Sequence, residues 1–169
     1  AGFWLTDQSA LADWIDRVFG PRKYYLISLV IVLYALLPFF MAFEGRKPEV
    51  RELVVLATMI ALATAGRAAF FMTPSFKPII AIVIISAIAF GAEAGFLVGS
   101  MTMLVSNFLF GQGPWTPWQM FAMGFIGFLS GILYRLRILP TKRLQLSVYG
   151  FLVTFMIYGG IMNPAALFM

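Results

Sequence analysis

From Leu53 through Tyr134, 82 residues pass with only three charges, Arg67, Lys77 and Glu93. A soluble domain carries charge on about a quarter of its residues, whereas here 11% are charged and 62% hydrophobic. A fold of this size has too much surface to hide such a stretch from water. Lipid is therefore the main solvent. In lipid each backbone polar group must be satisfied internally, which favours helices for long unbroken apolar runs. The expected fold is all-α, a polytopic integral membrane helical bundle of about six transmembrane helices.

Six apolar stretches divide the chain: Tyr24–Phe43, Leu53–Met72, Pro78–Ala92, Ala94–Phe110, Trp118–Tyr134, and a sixth from about Leu146 towards Asn163-Pro164. A helix needs about 20 residues to cross a bilayer core, so the third and fourth are short. They meet at the Gly91-Ala92-Glu93-Ala94-Gly95 break. Residues 1–20 differ from the rest. Leu11, Trp14, Ile15, Val18 and Phe19 recur at helical spacing opposite Asp7, Asp13 and Asp16, the pattern of an interfacial amphipathic helix. The organisation expected is an amphipathic segment over 1–20, an N-terminal transmembrane helix over 21–48, and a membrane domain over 49–169.

Sidedness follows from Lys and Arg in short loops. With six spans, one face holds Arg46, Lys47, Arg51, Arg135, Arg137, Lys142 and Arg143, and the other Arg17, Arg22, Lys23, Arg67 and Lys77. The first face is expected to be cytoplasmic. The pI near 9.8 reflects these headgroup-facing cations, which stand singly or in pairs beside apolar runs, rather than a nucleic-acid surface.

Composition removes much chemistry. With no cysteine and no histidine, thiolate nucleophiles, Cys-ligated metals and the commonest general base are absent. No phosphate-binding loop of the ATPase type occurs, so uphill transport would need a partner to supply the work. No cofactor is expected.

On the expected outer face, Gly66 to Pro78, Ser106 to Gln119 and the chain after Tyr158-Gly159-Gly160 converge, mixing rings, amides, cations and Gly/Pro turns. This is the composition of a pocket that grips a mid-sized organic molecule. The candidate contacts are Arg67, Phe71, Phe76, Lys77, Asn107, Gln112, Trp115, Trp118 and Gln119. Each also has a plainer reading. Trp115 and Trp118 suit an aromatic belt and Lys77 an interface boundary; Arg67 can snorkel; Asn107 and Gln119 can hydrogen-bond between helices. Glu93, the sole acid in the apolar region, suits a helix cap better than a proton relay. Gly91, Gly95 and Gly99 form one small-residue ladder and Ala57, Ala61, Ala65 and Ala69 another. The first suits helix packing; the second suits packing or docking of another membrane subunit.

These residues resemble the substrate-binding S components of energy-coupling factor (ECF) transporters. The likeness runs over about 22–164 and is carried by Gly66-Arg67-Ala68-Ala69-Phe70-Phe71, Phe76-Lys77-Pro78, Phe90 to Phe96, Asn107-Phe108 and Gly111 to Met120. Within that group the branch assigned to cobalamin is the most similar. The resemblance implies a six-helix core that binds a vitamin from outside in the bacterial plasma membrane, mounted on a membrane scaffold subunit and two cytoplasmic ATPases. It implies docking through an Ala-x-x-x-Ala motif, matched by Ala57 and Ala61, and a pocket shaped by loops at Thr73–Lys77 and Gly111–Pro117. It also implies that Tyr24–Phe43 is additional to the core and that the core lacks its last helix, so the chain reads as truncated at its C-terminus. The function expected is a non-enzymatic transport subunit, with cobalamin as ligand. Another vitamin or a modified nucleobase is the alternative in the same class; a membrane enzyme and a channel or scaffold are the readings outside it.

Overall fold

The computed structural model describes residues 23–72, 78–139 and 142–167. The amphipathic segment expected over 1–20 lies outside these residues, as do Phe76 and Lys77. The chain forms α1 (Lys23–Gly45), α2 (Val50–Ala69), α3 (Ile79–Phe90), α4 (Ala92–Phe110), α5 (Thr116–Arg135) and α6 (Arg143–Val153); a π-helical turn, Thr154–Tyr158, then leads into α7 (Gly159–Ala166). The last three run on as one rod, so the six expected stretches are six helical rods. Among the described residues, α2, α4, α5 and the Arg143–Ala166 rod are long and apolar enough to cross a membrane. Helix α3 has 12 residues, about 18 Å, too short for a core of about 30 Å.

All the helical rods but α3 start earlier than the apolar runs because polar residues can occupy a first turn at the interface. Val50-Arg51-Glu52 open α2, and Thr116-Pro117 open α5, with proline where no helical hydrogen bond is lost.

Helices α4 and α5 form the centre, packed antiparallel through glycines on both sides. A Cβ on Gly95 would meet the Gly127 carbonyl oxygen at 2.9 Å, and one on Gly124 would meet the Phe96 ring at 2.8 Å. Gly99 lies against the Met123 backbone in the same way. Backbones this close exchange side-chain volume for dispersion contact, the usual device where lipid supplies no hydrophobic drive between helices. Only part of the expected glycine ladder serves this purpose. Gly91 (φ 99°) instead breaks the chain between α3 and α4, in a conformation that disfavours any side chain. The two helices fold back there, bringing Ala87 beside Gly95.

Helix α1 lies against α4 and α5. Val32, Leu36 and Phe43 are buried, Phe39 stacks on Phe96 at 4.1 Å, and Phe39 meets Phe128 edge-on at 5.0 Å. At the end of α1, Arg46 forms ion pairs with Glu52 (3.1 Å) and Glu93 (3.3 Å) and donates to the Phe90 carbonyl (3.4 Å). Glu93 thus sits in the first turn of α4, where the helix dipole favours an anion, bound to a cation.

On α2, Leu56, Ala63 and Thr64 face the core, while Ala57, Ala61, Ala65 and Ala69 are exposed. The alanine stripe therefore does no packing within the chain. The last rod is the loosest element: Val153 and Ala165 are buried, but Leu144, Phe151, Phe155 and Met156 project outwards.

Candidate functional site

Charged and polar groups gather at two opposite ends. The Arg46 ion pairs mark one, where α3 ends and α4 starts. The other is built on the last turns of α4. Met103, Ser106 and Asn107, spaced i, i+3, i+4, share one helical face. Arg67, in the last turn of α2, reaches across to them. Its Nη1 donates to Ser106 Oγ and to Asn107 Oδ1 (2.9 Å) and lies 3.8 Å from Met103 Sδ. The guanidinium stands 5.2 Å over the Phe110 ring, which stacks on Phe71 at 4.7 Å. An arginine this deep in an apolar helix needs such partners, because an unpaired charge there is costly.

Asn107 is 1% exposed and relays the network onwards. Its Nδ2 donates to Thr116 Oγ1 (3.0 Å) and Gln119 Oε1 (2.8 Å). Thr116 Oγ1 donates to Gln112 Oε1 (2.8 Å) and accepts from the Gly113 N–H (3.3 Å), and Gln112 Nε2 donates to the Leu104 carbonyl (3.3 Å). One chain of hydrogen bonds thus fixes α2, α4, the intervening loop and the start of α5. Two glycines let the loop turn. Gly111 (φ 107°) ends α4, and Gly113 leaves room for the Trp115 ring, which folds back over it.

Beside this network lies a cavity of about 180 Å³, lined by Arg67, Ile79, Ile80, Met103, Met123, Thr154 and Tyr158. Its walls are apolar with one cation and two hydroxyls. The π-helical turn places Thr154 and Tyr158 on it while Val153 remains in the core. Tyr158 also faces Gln119. Thr154 Oγ1 donates to the Gly150 carbonyl (2.6 Å), so its oxygen can still accept.

The structure brings Arg67, Asn107, Gln112 and Gln119 together through hydrogen bonds and Phe71 through stacking. Trp115 is 40% exposed over its own loop, and Trp118 packs against the edge of the hydrophobic core; neither lines the cavity. Met103, Ser106, Thr116, Thr154 and Tyr158 join the site without having been singled out from the sequence. Ser106 and Met103 could have been found from their helical register with Asn107. Tyr158 stands in the sequence reading only as the point after which a third segment joins this face, and Thr154 could not have been found, because a π turn shifts the register that such reasoning assumes. Among the described residues, no cluster of His, Cys, Asp or Glu could hold a metal ion.

A family model described as ECF-type riboflavin transporter, S component, matches residues 47–167. The match begins after α1 and takes in both the Arg67 network and the cavity. No curated protein and no solved structure matches the chain.

Proposed function

Because the chain belongs to the ECF-type riboflavin transporter S component family, we propose that it captures a heterocyclic vitamin, riboflavin first among them, in the cavity beside Arg67. Membership makes it a substrate-binding subunit of a vitamin importer in the cell membrane, not an enzyme. ATP hydrolysis belongs to the partner module that the family implies.

The observation that carries the ligand reading is the Arg67–Asn107–Gln119 chain, buried at Asn107 and half-buried at its two ends, beside an apolar cavity. Arg67 spends Nη1 on Ser106 and Asn107 and keeps further N–H donors. Gln119 spends its oxygen on Asn107 and turns its NH₂ to Tyr158, which lines the cavity. No carboxylate lines the cavity. Such a donor-rich site favours a ligand edge bearing carbonyl oxygens and ring nitrogens. Ile79, Ile80, Met103 and Met123 suit a flat ring, since thioethers pack well against aromatic faces. At about 180 Å³ the cavity is smaller than the about 300–1,000 Å³ usual for drug-sized ligands. That suits the ring of a flavin rather than a macrocycle as bulky as cobalamin, and the family name points the same way.

The basic loops at the opposite end support cytoplasmic placement of that end, and hence entry to the cavity from outside. The exposed Ala57 and Ala61 support α2 as the face offered to the scaffold subunit, since small residues allow close helix approach.

Thermal unfolding of the purified chain with riboflavin, cobalamin and a nucleobase panel tests the reading. Ligand at 100 times Kd stabilises by about 2.7 kcal/mol, which raises the Tm of a chain this size by roughly 5–10 °C. Riboflavin is expected to give that shift, and Arg67→Gln to weaken binding by about tenfold, the loss of one charge-assisted hydrogen bond. A shift with a nucleobase alone overturns the ligand but keeps the site, whereas a shift with cobalamin alone overturns both the ligand and its placement in this cavity. No shift with any of them overturns both.

A further inference from the structure

A second, larger concavity lies on the flank of the bundle, a groove of about 750 Å³ between α3 and α6. We propose that it binds one anionic phospholipid, with the headgroup on Arg143 and an acyl chain laid along Ile80, Ile84, Ile85, Leu146 and Phe151. The site stands whatever the Arg67 cavity binds, although the two adjoin and share Ile80 and Thr154.

Three observations fit this occupant. The first is the division of chemistry. The groove is walled mainly by aliphatic and aromatic side chains, with the hydroxyls of Ser147 and Thr154 each bonded to a carbonyl of their own helix, and carries its one cation at the end where α6 begins. The second is length. From Arg143 to Thr154 the helix rises about 16 Å, close to the about 15 Å of one leaflet in a core of about 30 Å. One acyl chain fills that distance, and Gly150 keeps the groove floor low: a Cβ there would find only the Ile84 tip, at 3.6 Å.

The third is charge. Residues 135–143 hold Arg135, Arg137, Lys142 and Arg143 with no acid. The acids Glu52 and Glu93 are engaged by Arg46, and among the described residues no ion pair is made by Arg143. Arg143 is exposed at the start of α6, at the mouth of an apolar trench that runs along a helix long and apolar enough to cross a membrane. A lipid whose headgroup is net negative satisfies both parts at once, since no acid of the described residues offsets Arg143. If the basic end is cytoplasmic, it faces the leaflet where anionic lipids concentrate.

The test is a lipid titration of the full chain in detergent, followed by native mass spectrometry, comparing phosphatidylglycerol with phosphatidylcholine of identical acyl chains. Both lipids bring a phosphate, but the choline cation of phosphatidylcholine opposes Arg143, so phosphatidylglycerol is expected to bind about fivefold more tightly, the share of one arginine facing a net anionic headgroup. Arg143→Gln should erase that preference, whereas Arg135→Gln, at the same end but outside the groove, should preserve it. Ala81→Phe, at an exposed groove position, should weaken both lipids by filling the trench. Equal binding of the two lipids, a preference that survives Arg143→Gln, or one lost equally in Arg135→Gln overturns the site. So does a dimer of the parent chain that Ala81→Phe dissociates, which would make a second copy the occupant.

Discussion

Asn107 commits both ends of its amide, the oxygen to Arg67 and the nitrogen to Thr116 and Gln119. Its removal therefore leaves three buried or half-buried groups short of a partner. A single interhelical hydrogen bond in a membrane protein averages only about 0.6 kcal/mol, but a stranded polar group costs about 1–3 kcal/mol. Asn107→Ala is accordingly expected to lower Tm by roughly 5–10 °C, and Asn107→Asp, which still accepts from Arg67, by less. Circular dichroism melts of the detergent-purified variants check this; an alanine variant that melts with the parent would show that water replaces the amide. At this scale the sequence was informative where a polar group stood alone in apolar surroundings, as Arg67, Asn107 and Gln119 do, because each must find a partner. It was silent on the identity of the partner. Ser86, Ser100, Thr102 and Ser130 all donate to the carbonyl four residues back in their own helices, so a buried hydroxyl such as Ser106 is by itself no sign of a site.

At the scale of elements, apolar length and Gly/Pro breaks were enough to locate all six rods, since lipid leaves the backbone little alternative to a helix. The roles of small residues within them were not legible. Gly91 and Gly95 are four apart, yet one turns the chain and the other packs it, a difference set by φ and by what lies opposite. The π-helical turn left no mark in the pattern either. Such turns amount to one residue inserted in an α-helix, carry a cost in stability, and recur at functional sites. Here Thr154–Tyr158 widens the helix where it borders the cavity. Deleting Met156, which is 70% exposed, should restore an α-helical turn without changing the faces of α6 and α7. The expected result is a Tm equal to or above that of the parent with riboflavin affinity reduced by about tenfold or more, as one misplaced contact at a binding site costs about 1.4 kcal/mol. A fluorescence-quenching titration reads the affinity. Unchanged affinity with a raised Tm would mean that the bulge has no part in binding.

For the whole molecule, the arrangement of faces carries the functional argument. Helix α1 covers α4 and α5 through its phenylalanines, the alanine stripe of α2 is left open on another side, and the Arg67 cavity sits at the end remote from the Arg46 ion pairs. Which end meets the cytoplasm decides whether this geometry serves uptake. The loop count from sequence is seven cations against five, but Arg67 spends its charge on Ser106, Asn107 and Phe110. Its charge is therefore satisfied inside the bundle and not in a loop, which widens the margin for a cytoplasmic Arg46 end. The absence of cysteine makes a direct test straightforward, since any introduced thiol is the only one. Pro114→Cys, exposed in the loop after α4, and Lys142→Cys, exposed before α6, mark opposite ends. In intact cells a membrane-impermeant maleimide should label Pro114→Cys at once and Lys142→Cys only after the membrane is opened. The reverse pattern would turn the cavity towards the cytoplasm, and capture of an external vitamin at Arg67 would then be excluded whatever the affinity of the site.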